Sequence, residues 1–143
     1  MNTNFDNPLD LGAEGAYPHI YYRVLVNLDK DPNIDAIVFV KDPERFASIQ
    51  DSILGETGQD VDLNQMFINY VAKATRIIKK PMFCVMLKIS EGFEEYKSRY
   101  KFKLKLLNRG VPVFESFDLL AKVLDNLNKY RKFLEKNGLY PKK

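Results

Sequence analysis

The sequence Asn-Ile-Asp-Ala-Ile-Val-Phe-Val-Lys runs from Asn33 to Lys41, and its apolar residues 37–40 follow one another without a polar interruption. A strand that is covered on both faces has this pattern, because it has no solvent face toward which polar residues could alternate. Residues 81–87 and 111–114 have the same character. Helical patterns separate the three stretches, so we expect a parallel sheet built from crossover units.

The composition is that of a globular protein with one core. The chain has 143 residues, of which 45% are hydrophobic and 29% charged, and its net charge is +3. These values are ordinary for a single domain of this length. We therefore expect one domain over residues 1–143, with an extended arm at 1–16 and a polar tail at 139–143.

Neither nucleic acid nor a membrane is an expected partner. Lysines cluster at 101–105 beside Tyr96, Tyr100 and Phe102, but aromatic residues at helical spacing usually pack inward while lysines stay in water. The longest apolar run is far shorter than the roughly 20 residues of a membrane helix, and nothing resembles a signal peptide. The single cysteine, Cys84, falls within an apolar strand, which favours an inert thiol. We expect a cytoplasmic protein.

Five helices are predicted around the strands. They run from Pro18 to about Leu28, through Phe46 to Leu54 after a cap at Asp42, from about Leu63 to Ile78, from Gly92 to Asn108, and from a cap at Ser116 or Asp118 to about Asn137. The third helix is expected to bury Met66, Phe67, Tyr70, Val71, Ala74 and Ile78. The fourth is expected to bury Phe93, Tyr96, Tyr100, Leu104 and Leu107, and the fifth Leu119, Leu120, Val123, Leu124, Leu127, Tyr130 and Leu134.

No motif for catalysis, metal binding or phosphate binding is evident. His19 is the only histidine and has no cysteine or second histidine at ligand spacing, so we predict no metal site. The sequence has no Walker loop, no Gly-x-Gly-x-x-Gly and no nucleophile elbow. Two helix N-termini follow strands, at 42–44 and 116–118, but both carry acids and Pro43 removes a donor. We expect these ends to be capped by their own side chains.

Four polar residues are the candidate binding residues. Lys41 and Ser116 follow strand ends, where open α/β sheets bind ligands. Asn7 and Asp10 belong to an Asn-Pro-Leu-Asp string. The simpler interpretation is that Asn7 and Asp10 form turns and that Lys41 and Ser116 are solvated loop residues, because no other polar groups converge on them.

Four short motifs follow one another along the chain. They are Asn-Pro-Leu-Asp-Leu-Gly at 7–12, Asp-Pro-Asn-Ile-Asp at 31–35, Lys-Pro-Met-Phe at 80–83 and Gly-Val-Pro-Val at 110–113. In this order the set resembles the flavodoxin-like ligase domain of the ADP-forming acyl-CoA synthetases, which are relatives of succinyl-CoA synthetase. The resemblance extends from Asn7 to about Leu134.

This resemblance implies an α/β fold with three layers, in which helices flank a flavodoxin-like parallel sheet of about three or four strands. In the family, a strand and a helix precede the first motif. Here only residues 1–6 precede it, so the sheet would be incomplete. Loss of that strand and helix would bare the edge of the strand at 33–41. We expect that residues 7–11 add a short strand, that a second chain covers the edge, or that the chain is a fragment of a larger protein.

The resemblance also implies a function. The parent enzymes use CoA and ATP or ADP, but their CoA-binding Rossmann domain, ATP-grasp domain and phosphorylated histidine lie outside this domain, and His19 in Pro-His-Ile does not match the family's His-Thr-Gly setting. We therefore expect a noncatalytic domain or subunit of such an assembly, with no cofactor bound by this chain alone. Its partners would be other ligase domains or subunits, or a second copy of the chain.

Two other functions remain open at this point. The first is a stand-alone protein-interaction module that keeps the flavodoxin-like fold without ligase activity. The second is a small self-sufficient enzyme, for which the sequence offers neither a credible nucleophile nor a base.

Overall fold

The structure is a computed structural model and describes residues 6–139; the parts of the predicted arm and tail at 1–5 and 140–143 lie outside the described residues. The helices are α1 (Pro18–Lys30), α2 (Pro43–Thr57), α3 (Leu63–Ala74), α4 (Phe93–Leu107) and α5 (Phe117–Lys136). The strands are β1 (Ile37–Lys41), β2 (Met82–Met86) and β3 (Val113–Phe114), and a short 3-10 helix spans Gly12–Ala16.

The three strands form a parallel sheet in the order β1-β2-β3. Ile37 is paired with Met82, and Cys84 with Val113. Helices α2 and α3 connect β1 to β2, and α4 connects β2 to β3, so both connections are crossovers. The prediction of an α/β fold with an open, flavodoxin-like parallel sheet flanked by helices is confirmed.

Local side chains explain where the helices begin. The Asp42 carboxylate accepts hydrogen bonds from the N–H groups of Glu44 and Arg45 at 3.0 and 3.1 Å, and Pro43 occupies the first turn of α2. At α5, the Ser116 hydroxyl accepts from the Leu119 N–H at 3.2 Å. Each side chain satisfies donors that a helix start leaves without a partner. The predicted cap at Asp42 is confirmed, and of the alternatives Ser116 and Asp118 the structure shows Ser116 as the cap of α5.

The core lies on one face of the sheet. Ile37 and Phe39 on β1 are buried, whereas Val38 and Val40 between them are each 39% exposed. The buried cluster joins this face to α1, α3 and α4, and its members include Leu25, Phe67, Val71, Cys84, Phe102 and Leu106. The prediction that β1 is buried on both faces is wrong, because helices from both crossovers pack against the same face.

Helix α5 belongs to the second face of the sheet. It follows β3 and contacts it. Val85, whose side chain points to the second face, and Leu120 on α5 are both buried but stand outside the main cluster. Phe83 and Phe114 are on the same face, with ring centroids 6.2 Å apart. We place α5 against the β2–β3 half of this face, so that the β1 half stays exposed.

Helix α4 buries a different stripe from the predicted one. The residues Arg99, Phe102 and Leu106 are buried, where α4 packs against α2 and α3. The predicted stripe is exposed, and it consists of Phe93, Tyr96, Tyr100, Leu104 and Leu107. Both stripes follow spacings of three and four residues, and Arg99 is accommodated in the core because a buried carboxylate pairs with it.

The predicted inward face of α5 is also largely wrong. Leu120 is the one buried residue in this helix, as far as residues 6–139 are concerned, and Val123, Leu124 and Leu134 are half-buried. Leu119, Leu127 and Tyr130 are exposed, contrary to the prediction. A helix of 20 residues is about 30 Å long, and β3 has two residues, so most of the helix extends past the strand it packs on.

Two further boundaries differ from the predictions. Helix α3 ends at Ala74 rather than near Ile78, and it leaves Met66 exposed while burying Ile68. Residues 7–11 contribute no strand to the described sheet, although Asp10 makes an isolated bridge, and a 3-10 helix follows where a loop was expected. The expectation of an added strand at the edge of β1 is therefore wrong for the described residues. The two alternatives, a second chain that covers the edge and a chain that is a fragment of a larger protein, stay predictions.

Candidate functional site

An open groove lies past the carboxyl ends of β1 and β2, between α2 and α4. Its volume is about 630 Å³. The charged residues that line it are Asp42, Glu44, Arg45, Asp51, Glu94 and Glu95. Ligands of open parallel sheets bind at this end of the strands, so the groove is the first candidate for a ligand-binding site.

Two groove residues, Glu44 and Ser90, belong to a buried network with Arg99. The Arg99 guanidinium donates to one oxygen of the Glu44 carboxylate and to the carbonyl oxygen of Ser90, the latter at 2.9 Å. The other carboxylate oxygen accepts from the N–H and the hydroxyl of Ser90, both at 3.0 Å. The side chains of Arg99 and Glu44 are only 9% and 10% exposed. The network ties the start of α2 to the β2–α4 connection and to α4.

The remaining charges make the groove acidic. Glu44 is paired with Arg99, and Glu94 forms an ion pair with Lys97 at 3.6 Å. The lining carboxylates of Asp42, Asp51 and Glu95 then stand against the single guanidinium of Arg45. Phosphate groups are repelled by a concentration of negative charge. The groove therefore has the wrong sign for the phosphates of CoA or of a nucleotide.

Lys41 is a buried cation inside the core. The residue is 4% exposed, and its ammonium lies 2.7 Å from the ring centroid of Phe46 and 4.2 Å from that of Phe67. Burial lowers the pKa of Lys41 to about 7, while the nearby Asp42 and Cys84 act in the opposite direction. The expectation of a solvated loop residue is wrong, because β1 continues through Lys41 and its register directs this side chain to the core face.

The position of Lys41 limits what it can do chemically. A neutral amine is a nucleophile, and a buried lysine with a lowered pKa is the form that catalysis uses. Lys41, however, is not among the residues that line the groove, and aromatic rings enclose its amine. The structure thus places this amine in the core rather than beside a site that a substrate could occupy.

The other candidate residues stand apart from one another. Asp10 accepts a hydrogen bond from the Gly12 N–H at 2.8 Å, which confirms its turn-forming role, and Ser116 caps α5. Asn7 is exposed. Among the described residues no hydrogen bond joins any two of Asn7, Asp10, Lys41 and Ser116. The four do not form one site.

The Glu44–Ser90–Arg99 network was missed by sequence reasoning. The sequence marks Glu44 only as an acid at the helix start 42–44 and assigns no role to Arg99. The one local signal is that Arg99, Phe102 and Leu106 follow one another at spacings of three and four, which puts all three on one helix face. The pairing spans 55 residues, so no local pattern could supply it.

Neither a metal site nor a membrane-spanning helix is found in the part of the chain that the structure describes. Within residues 6–139, no group of three or more His, Cys, Asp or Glu side chains is arranged to hold a metal ion. His19 is exposed, and its ring lies 6.0 Å from that of Tyr17. None of the helices in this part of the chain combines the length and the apolarity needed to cross a membrane.

Two exposed apolar surfaces are the most prominent features outside the groove. The first, called the α4 stripe, has members that are each at least 41% exposed: Phe93, Tyr96, Tyr100, Leu104 and Leu107. The second, called the α5 seam, has members that are each at least 48% exposed: Leu119, Leu127, Tyr130 and Phe133. Within each surface two rings stack, Tyr96 on Tyr100 at 6.2 Å and Tyr130 on Phe133 at 6.4 Å.

The chain was compared with models of known protein families, with curated proteins and with solved structures, and none of the three comparisons found a match. The resemblance to the acyl-CoA synthetases therefore stays a prediction, and the α/β fold rests on the structure itself.

Proposed function

We propose that this chain is a noncatalytic domain or subunit that acts by binding other protein surfaces. The observation that carries the proposal is the exposed apolar area of the α4 stripe and the α5 seam. Large apolar patches cost free energy in water, and on folded proteins they usually mark interaction sites. Both surfaces contain tyrosine or phenylalanine, which are enriched where proteins bind one another.

Buried contacts of α4 hold the α4 stripe in a fixed position. Arg99 and Phe102 on the opposite side of α4 are buried, and the ion pair of Arg99 with Glu44 holds α4 against α2. A surface held in one geometry loses little conformational entropy on binding. The fold therefore presents the stripe in a form that is ready for a partner.

The resemblance suggests who the partners are. In an assembly like the ADP-forming acyl-CoA synthetases, this domain would contact CoA-binding and ATP-grasp domains or subunits, and those would bind CoA and ATP or ADP. The acidic groove supports this division of roles, because its carboxylates repel phosphate. The second candidate is a stand-alone interaction module with the same fold, and the same exposed surfaces favour it.

Photo-crosslinking in cells that naturally express the chain tests the proposal. A photoreactive phenylalanine analogue replaces Tyr100 on the α4 stripe or Tyr130 on the α5 seam. Matched control variants carry it at Lys101 or Lys132, which are exposed on the same helices outside the two surfaces. We expect discrete protein adducts from position 100, position 130 or both, and much weaker adducts from the controls.

The identity of the adducts separates the two candidates. A CoA-binding or ATP-grasp protein would support the ligase assembly, and any other defined protein, including a second copy, would support the stand-alone module. If neither Tyr100 nor Tyr130 gives an adduct above its control, the chain does not act through these surfaces and the proposal is wrong.

A further inference from the structure

We propose that the partner of the α5 seam is the α5 seam of a second copy of this chain, in an antiparallel pair with twofold symmetry. This inference rests on the proposed function, since it names the partner for one of the two apolar surfaces. It is carried by the spacing, the charge distribution and the size of the seam.

The spacing of apolar residues suits a helix partner. The seam residues Leu119, Leu127 and Tyr130 combine with the half-buried Val123 and Leu134 into a series that recurs every three or four residues. Such a series keeps one stripe of a helix facing a neighbouring helix. Within its own fold the main contact of α5 is with the two-residue strand β3, so most of the stripe beyond Leu120 stays exposed.

A twofold axis near the middle of α5 pairs the two ends of the seam. Leu119 and Phe133 stand seven residues before and seven residues after Asn126. A twofold axis beside Asn126 therefore sets Leu119 against Phe133 of the second copy, with Leu127 close to the axis. In such a twofold contact each residue pair occurs twice with the roles exchanged, so that each seam covers the other.

The charged side chains along α5 favour an antiparallel pair. Residues 117–126 carry two acidic side chains and one basic side chain, whereas residues 127–136 carry four basic side chains and one acidic side chain. An antiparallel pair sets the acidic half of each helix beside the basic half of the other, and it also opposes the two helix dipoles. A parallel pair would set the two basic halves side by side, where they repel each other.

The exposed area suits a weak pair. The four seam side chains are each at least 48% exposed, and Val123 and Leu134 beside them are half-buried. With roughly 100 Å² from each seam residue and a smaller share from the half-buried ones, in both copies, the contact would remove about 800–1,000 Å² from water, which is the size of a weak, transient interface. We expect a dimer that dissociates on dilution rather than a permanent one.

Light scattering of the 143-residue chain over a range of concentrations tests the pairing. The expected mass rises from 16.6 kDa toward twice that value as the concentration increases. Leu127→Glu sets two carboxylates near the axis, and we expect it to raise the dissociation constant about a hundredfold. Leu104→Glu is the matched control, because it puts the same charge on the other exposed surface and leaves α5 unchanged. Circular dichroism checks that both variants keep their helices.

Disulfide crosslinking tests the direction of the pair. Chains with Leu119→Cys are mixed with separately tagged chains with Phe133→Cys under mild oxidation. An antiparallel pair gives the mixed disulfide, whereas a parallel pair links each variant to its own kind. Each chain carries one engineered cysteine, so a disulfide between positions 119 and 133 can form only between two chains. The native Cys84 does not interfere, because it is buried and burial raises the pKa of its thiol to about 12.

The outcomes separate this inference from the proposed function. A chain that stays monomeric at every concentration, a dimer that survives Leu127→Glu but not Leu104→Glu, or crosslinks only between like variants would each overturn the antiparallel α5 pair. In any of these cases the proposed function stands if Tyr100 or Tyr130 still gives a photo-adduct with another protein. A concentration-dependent dimer that Leu127→Glu alone disrupts, with the mixed disulfide, supports the pair.

Discussion

The ammonium of Lys41 lies inside the core against two aromatic faces, and its position makes stability depend on pH. Burial disfavours the charged form and lowers the pKa of Lys41 from 10.5 to about 7. Between these values the unfolded chain holds a proton that the folded chain lacks, so stability rises with pH across this window. Below about pH 7 both states are protonated, and the full cost of burying the charge is present.

Replacement of Lys41 by methionine should therefore stabilise the protein at low pH. We expect Lys41→Met to raise the free energy of unfolding at pH 6 by roughly 2–4 kcal/mol, since favourable contacts of the cation with Phe46 and Phe67 offset part of the burial cost. The gain should shrink between pH 7 and 10.5. Urea unfolding at several pH values measures it.

The matched control is Lys73→Met. Lys73 also stands over an aromatic ring, that of Tyr70 at 4.8 Å, but it is exposed. We expect its replacement to leave the pH profile of stability unchanged. If Lys41→Met has the same flat profile, the Lys41 ammonium is not desolvated in the folded protein.

Removing one partner of the buried Glu44–Arg99 pair should lower the free energy of unfolding much more than replacing both partners together. Arg99→Met leaves a buried carboxylate without its cation, which typically costs about 3–5 kcal/mol. The double variant Glu44→Met with Arg99→Met removes both charges, and we expect it to recover most of that loss. A double-mutant cycle of unfolding free energies measures the coupling.

An exposed ion pair supplies the comparison. Lys129 and Asp125 on α5 are 2.5 Å apart and largely exposed, so Lys129→Met should change stability by no more than about 0.5 kcal/mol. Additive effects of the Glu44 and Arg99 variants would contradict the view that these groups stabilise each other only as a pair.

The helices differ in how firmly the rest of the molecule holds them. Helix α3 buries five residues, whereas α5, which is longer, buries only Leu120 among the residues described. Isolated helices are marginal in water, and most of their stability comes from packing. An element with few buried contacts opens more readily, and its amides exchange faster.

Hydrogen exchange should reveal this difference directly. In the Leu127→Glu variant, which we expect to be monomeric, amides in residues 125–136 should exchange at least roughly tenfold faster than those in the middle of α3. In the unaltered chain at high concentration, the α5 amides should slow because a second copy covers the seam. If α5 in the variant exchanges as slowly as α3, contacts within the chain hold it and the seam is not its main source of stability.

The helices cover the two faces of the sheet unequally. Helices α1, α3 and α4 pack on one face of the sheet, while Val38 and Val40 remain partly exposed on the other. The second face of the sheet is half covered, and α5 extends past the sheet. Apolar area therefore remains that the folding of one chain does not bury. Association with a partner removes such area from water and so adds to the stability of the folded state.

Thermal unfolding should therefore depend on concentration. For the unaltered chain we expect Tm to rise by roughly 2–3 °C for each tenfold increase in concentration, because a dimer of folded chains is favoured by mass action. Leu127→Glu should remove this dependence, and Leu104→Glu should keep it. A Tm that is the same at all concentrations would show that folding and association are not linked.

Sequence reasoning was most successful where the signal is local. The parallel α/β fold, the strand through Ile37 and Phe39, and the caps at Asp42 and Ser116 follow from apolar runs, helical periodicity and short-range hydrogen bonding. A cap forms between residues two or three positions apart, and a buried strand must be apolar whatever lies on it. Such features depend little on the rest of the chain.

The errors concern which face of each element meets the core. Helix α4 offers two stripes of suitable spacing, and the one with Arg99 is buried because Glu44, 55 residues away, neutralises the charge. Lys41 lies between Phe46 and Phe67 because β1 directs it into the core. Periodicity shows that a face exists but not what covers it. Burial is a property of contacts between residues far apart in sequence, so the tertiary structure alone reveals the buried Lys41, the Glu44–Arg99 pair and the exposed α5 seam.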